Sequence, residues 1–88
     1  MTTQPRVVLF GRAGCHLCDD ARAVVEQVCA EADEAWTELD VDRLDDRDLR
    51  DELTELVPVL EVDGVRQGFW RIDATRLRRA LAAAPPTS

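Results

Sequence analysis

Two cysteines three positions apart, Cys15 and Cys18, stand in the stretch "LFGRAGCHLCDDARAVVEQV" that begins at Leu9. A pair at this spacing can do one of three things. It exchanges electrons as a dithiol and disulfide, it supplies two ligands to a metal, or it is simply two small residues at a helix start. An apolar run ends at Gly11 and an amphipathic run begins beyond the pair, which puts Cys15 between a strand and a helix. The first turn of a helix has unpaired N–H groups and a partial positive charge. A thiolate is favoured there, so Cys15 is expected to ionise below the free-cysteine value of about 8.5. Cys18, nearly one turn later, can close a disulfide with it. The spacing lets an exposed Cys15 attack first and Cys18 resolve the mixed disulfide. Arg12 and His16 bring positive charge towards the pair, while Asp19 and Asp20 oppose it.

The metal reading is weaker within one chain. Structural zinc normally takes four ligands, and the pair offers two. His16 lies inside the pair, where the geometry is awkward. Cys29 lies eleven residues past Cys18, about 16 Å along a helix at a rise of 1.5 Å per residue. A metal or iron–sulfur site would need a second subunit or a small thiol to complete it. No metal ligand set is therefore assigned. Cys29 reads as a small buried hydrophobe.

The elements that must carry the pair follow from periodicity. "RVVLF" (6–10) is a short buried strand. From Leu17, apolar residues at Ala21, Val24, Val25, Val28 and Ala32 make a helical stripe. "AWTEL" (35–39) alternates as a strand. "DDRDLRDEL" (45–53) is a short acidic helix with Asp45 as its expected N-cap. "VPVLEVDGVRQGFW" holds two β-rich runs joined by Asp63-Gly64, a strong hairpin signal. A last helix opens at Asp73, carries Ala74, Leu77, Leu81 and Ala84 on one face, and ends at Pro85-Pro86. The order β-α-β-α-β-β-α implies a right-handed parallel first unit followed by an antiparallel hairpin. The expected fold is an α/β sandwich, a four-stranded mixed sheet with helices on both faces.

Length and charge narrow the rest. The 88 residues fit one domain, with a core spanning about 6–84. "MTTQP" and "APPTS" read as tails. No apolar run approaches the ~18 residues of a membrane span, and the N-terminus lacks a signal-peptide pattern. An odd count of three cysteines argues against a secreted disulfide framework. A cytoplasmic protein is expected, and in a reducing compartment the pair is catalytic or metal-binding rather than a static bridge. The net charge is −7, with fifteen acids and four arginines between Asp19 and Glu55. That balance disfavours nucleic acid as a partner. The five arginines from Arg66 onward, against the single acid Asp73, read as a solvated helix face, with contact to a phosphate or an acidic partner as the alternative.

Three features together, "RAGCHLC", "LVPVLEVDG" and the element order, resemble the thioredoxin superfamily, and within it the compact bacterial glutaredoxin-like proteins with a CxLC-type pair. The resemblance covers about Arg6 to Ala84. It implies a thioredoxin-like fold and thiol–disulfide exchange. It implies that Arg12, three residues before Cys15, helps bind the thiol substrate. It implies that Pro58 in "VPV" follows a cis bond and faces the cysteines, exposing the Val57 N–H and C=O to an extended substrate. The chain departs from the family in two places. His16-Leu17 replaces the usual Pro-Tyr between the cysteines. The Gly-Gly-x-Asp segment that holds a glutathione carboxylate is replaced by "RQGFWRIDATRL", in which Gly68 and Asp73 stand as its remnants. Trp36 is expected at core or edge packing, and Phe69 and Trp70 against the final helix, with a substrate platform near the implied thiol-binding surface as the alternative.

The expected function is reduction of protein or mixed low-molecular-weight disulfides, with Cys15 as nucleophile and Cys18 as resolving thiol. Arg12, His16, Val57, Pro58, Gly68 and Asp73 are the expected substrate-binding residues. No bound cofactor is expected. Glutathione, another small thiol or a reductase would supply electrons to a monomer that engages neither membrane nor nucleic acid. The competing reading is a non-enzymatic module: a metal or iron–sulfur carrier, or an interaction domain with a vestigial pair.

Overall fold

The first strand is apolar at every position because both of its faces are covered. In the computed structural model, which describes residues 5–83, β1 (Val7–Gly11) lies inside a sheet of order β2-β1-β3-β4. Val7 and Leu9 face one way, and Val8 and Phe10 the other, as the two-residue period requires. The first pair joins Leu60, Val62, Ala21, Val25, Val28, Cys29 and Leu77 in one buried cluster. The second joins Val59, Val41 and Leu53 in another. Two apolar layers thus flank one sheet, the expected sandwich.

Helix α1 (His16–Ala32) follows β1 and buries Cys18, Ala21, Val25, Val28 and Cys29. Val24 packs at the margin of the core, whereas Ala32 is exposed, so the apolar stripe ends earlier than expected. Strand β2 (Trp36–Asp40) runs parallel to β1, pairing Val7 with Trp36 and Gly11 with Asp40. Both strands start and end one residue later than the sequence suggests, because the ladder continues through Gly11 and Asp40. A single 3₁₀ turn (Val41–Arg43) leads to α2 (Arg47–Thr54). Its N-cap is Asp46 rather than Asp45: the Asp46 carboxylate accepts the Leu49 N–H at 3.1 Å. Leu49 and Leu53, four apart on one helix face, both pack inward, and Leu53 is fully buried.

Strand β3 (Val59–Val62) runs antiparallel to β1, pairing Val7 with Val62 and Phe10 with Val59. It turns through Asp63 (φ 55°) and Gly64 (φ 79°) into β4 (Val65–Phe69). Two successive positive φ values are what a two-residue hairpin loop demands. The register slips between Leu60 and Glu61, leaving Gln67 as an extra residue on β4. Helix α3 (Ala74–Ala82) is capped by Asp73, whose carboxylate accepts the N–H groups of Thr75 at 2.8 Å and Arg76 at 3.4 Å. Leu77 anchors it in the core. Ala84 and Pro85-Pro86 lie outside the described residues. No described helix is long and apolar enough to cross a membrane.

Arg6, at the entry to β1, ties distant parts together. Its guanidinium donates to both Asp63 oxygens, at 2.9 and 3.0 Å, and to Glu34 at 3.3 Å. It also reaches the carbonyls of Leu81 and Ala83. One side chain therefore joins the hairpin turn to the ends of α1 and α3.

Candidate functional site

The turn between β1 and α1 builds the site. Gly14 takes φ 75°, a left-handed conformation that glycine adopts without steric cost. The chain then enters α1 with Cys15 as the N-cap residue, in extended conformation. The Cys15 sulfur accepts the backbone N–H of Cys18 at 3.2 Å. A thiol at this position does what Ser or Asp does at other helix starts: it satisfies one of the orphan donors. Cys15 is partly exposed, while Cys18 is fully buried.

Burial pushes the Cys18 thiol up to about 11, and a side-chain hydrogen bond with Cys15 pushes in the same direction. A backbone hydrogen bond from Arg12 pulls the other way. At neutral pH Cys18 is therefore protonated. The two cysteines are inequivalent: one is partly exposed and its sulfur accepts a helix N–H, and the other is a buried thiol in hydrogen-bond contact with it. Cys29 is buried in the core, and its thiol is likewise pushed up by burial.

Around Cys18 lies a group that the sequence did not single out. A Cβ placed on Gly11 would lie 3.2 Å from Glu38 Oε2 and 3.5 Å from Cys18 Sγ. The absent side chain of Gly11 leaves a gap between carboxylate and sulfur. Arg22 holds the Glu38 carboxylate with two hydrogen bonds of 2.7 Å and reaches Asp19 at 2.9 Å. Those bonds keep Glu38 below the usual carboxylate range. A glycine ending an apolar strand was the available signal; its partner Glu38, twenty-seven residues on, carried none.

Of the other expected site residues, Pro58 is buried and follows a cis bond from Val57. The β1–β3 register carries it level with Gly11. The Val57 N–H is not free for a substrate, contrary to expectation: it donates to the Leu53 carbonyl at 3.0 Å and closes the end of α2. Arg12 is exposed and pairs with Asp42 at 3.2 Å. His16 is exposed at the first position of α1. Gly68 pairs with Leu60 within the sheet, and the Asp73 carboxylate is engaged in capping α3. Trp70 also departs from expectation. It does not pack against α3 but stands 52% exposed beside Phe69. Among the described residues, no three His, Cys, Asp or Glu side chains gather as a metal site.

Comparison with known proteins agrees with this geometry. A family model described as a glutaredoxin-like domain matches residues 6–82. An uncharacterised protein of Mycobacterium tuberculosis is 30% identical over 83 residues, covering 91% of this chain and 86% of its own. The X-ray structure of a structural-genomics target from X. campestris is 38% identical, covers 90% of this chain and 99% of its own, and superposes with a TM-score of 0.68. The holo form of glutaredoxin C1 from Populus tremula x tremuloides shares the fold at 20% identity, with a TM-score of 0.61 over 96% of this chain and 86% of its own. The architecture is thioredoxin-like, and an inequivalent thiol pair at the start of its first helix is suited to redox exchange.

Proposed function

The chain belongs to the glutaredoxin-like family, and from that premise we propose that it is a thiol–disulfide oxidoreductase acting on protein or mixed low-molecular-weight disulfides. The observation that carries this reading is the asymmetry of the pair: partly exposed Cys15 accepts the Cys18 N–H, and Cys18 is buried as a thiol.

In the first step the Cys15 thiolate attacks one sulfur of the substrate disulfide. The substrate S–S bond breaks, a mixed disulfide forms, and the departing sulfur leaves as a thiolate that takes up a proton. In the second step Cys18 gives up its proton and its sulfur attacks the Cys15 sulfur. The mixed disulfide breaks, and the second substrate sulfur leaves as a thiolate that takes up that proton. Two electrons have passed to the substrate, and the protein holds a Cys15–Cys18 disulfide. A low-molecular-weight thiol such as glutathione, or a reductase, returns the electrons. Attack depends on access to the sulfur, which favours the partly exposed Cys15 for the first step. Buried Cys18 is reserved for the second, intramolecular one. A reducing, cytoplasmic setting suits this cycle.

The test is turnover of a disulfide substrate with glutathione, and separately with thioredoxin reductase, as electron source. Turnover with either one is expected. Cys15→Ser should abolish it, and Cys18→Ser should accumulate a mixed disulfide that is not released intramolecularly. Absence of turnover with both donors, together with colour or bound metal in the purified protein, would instead favour a carrier.

A further inference from the structure

The segment after β4 turns on an unusual residue. The Arg71 N–H donates to the Phe69 carbonyl at 2.9 Å, closing a three-residue turn centred on Trp70. Trp70 takes φ 63°. A turn of this kind with positive φ at its centre is the rarer and more strained form, and a bulky side chain there is a true outlier. The Trp70 N–H donates to the Pro58 carbonyl at 2.9 Å, and the indole N–H to the Glu55 carbonyl at 3.1 Å. The ring is thus fastened to the segment that carries Pro58.

Fastening does not bury it. Trp70 is 52% exposed and Phe69 44%, their rings meeting edge to face with centroids 5.1 Å apart. A purely structural turn would be served better by glycine, and a packing role would hide the rings. Strained residues of this kind concentrate at ligand clamps. With Leu17 and Arg71, the two rings line an open groove of about 410 Å³. Leu17 is two residues from Cys15, on the first turn of α1.

Charge says what the groove accepts. The chain carries a net −7, and Arg6, Arg12, Arg22, Arg66 and Arg78 all face carboxylates. Among the described residues Arg71 enters none of the ion pairs. A free guanidinium beside two aromatic rings is matched by a carboxylate next to an apolar side chain. A small thiol without an apolar side chain would meet only the cation.

We propose that the Leu17–Phe69–Trp70–Arg71 groove is the specificity surface of the protein. It takes a polypeptide whose disulfide is flanked, within a few residues, by a large apolar side chain and a carboxylate. This rests on the oxidoreductase reading and names its substrate class.

The test uses cystine peptides of equal length whose flanks are Phe-Asp, Phe-Lys or Gly-Asp, with glutathione disulfide alongside. The wild-type protein should reduce the Phe-Asp peptide with a kcat/KM about tenfold above the other two peptides, as expected for one well-placed hot spot. Arg71→Glu should reverse the preference from Asp to Lys. Trp70→Gly, which suits the positive φ, should remove the preference for Phe through KM. Equal turnover of all peptides, an unchanged preference in Arg71→Glu, or glutathione disulfide outrunning every peptide would each overturn the proposal. If no disulfide is turned over, the oxidoreductase reading fails, and peptide binding by calorimetry judges the groove separately. Tightest binding of the Phe-Asp peptide, weakened in Arg71→Glu, supports it; equal binding of the three peptides overturns it.

Discussion

The backbone N–H of Cys18 donates to the sulfur of Cys15 across 3.2 Å, so the side chain that caps α1 is also the less buried member of the thiol pair. Capping and chemistry then separate by substitution. Serine is a preferred N-cap and alanine is not. Cys15→Ser should fold with stability close to wild type, and Cys15→Ala should be less stable by about 1 kcal/mol. Urea unfolding of the reduced proteins measures the difference. Equal stability of the two variants would show that the cap contributes nothing.

Stability should fall in alkali, with a sign set by burial. Cys18 is pushed up to about 11 from an ordinary 9.0, and Cys29 is also raised. The unfolded chain releases these protons near 9, while the folded chain holds them longer. The Cys18 contribution is therefore complete below about pH 9 and is lost as pH rises through about 11; Cys29 adds a loss of the same sign. Closing the Cys15–Cys18 disulfide removes Cys18 from this titration, so the oxidised protein should lose less over the same window. Parallel slopes for the two forms in urea midpoint against pH would contradict the assignment.

Gly11→Ala tests the gap beside Cys18. Alanine in place of glycine ordinarily stabilises through the unfolded chain. Here the new methyl would meet Glu38 Oε2 at 3.2 Å, on a carboxylate that Arg22 pins with two bonds. The substitution should destabilise by about 1 kcal/mol. In a Glu38→Ala background the same change should become neutral or favourable. The double-mutant cycle gives the coupling, and a cycle that closes with no interaction would mean the carboxylate moves aside freely.

Arg6→Ala should lower the melting temperature by roughly 4–8 °C, because one half-buried guanidinium links the hairpin turn with the ends of α1 and α3. Arg47→Ala, which removes an exposed ion pair of 4.0 Å, should change little. Calorimetric scans of both variants make the comparison. Equal shifts would reduce the Arg6 network to an ordinary surface contact.

Much of this was written in the residues themselves. The unbroken apolar run "VVLF", the Asp63-Gly64 turn and the Asp73 cap are local signals, and each element they imply is present. So is the placement of Cys15 at a helix start. What escaped depends on distance along the chain. Asp45 and Asp46 are chemically equal caps, and only the inward facing of Leu53 chooses between them. The Val57 N–H is claimed by a carbonyl from the preceding helix. The meeting of Glu38 with Gly11 needs the β1–β2 register. The exposure of Trp70 follows from hydrogen bonds to Glu55 and Pro58, which no periodicity announces.

The sheet order also dictates how the chain must assemble. The hairpin of β3 and β4 closes through two residues, and such hairpins form in about 1–10 μs. Strand β1 has no neighbour close in sequence: Val7 meets Trp36 on one side and Val62 on the other. Both loops must close against chain entropy before the inner strand is paired on both edges. A nascent chain that has reached only Asp40 holds β1 and β2 with one edge of β1 open and its apolar residues uncovered. Its central strand is completed only by the last third of the sequence, so loss of the hairpin leaves an aggregation-prone fragment rather than a smaller working domain.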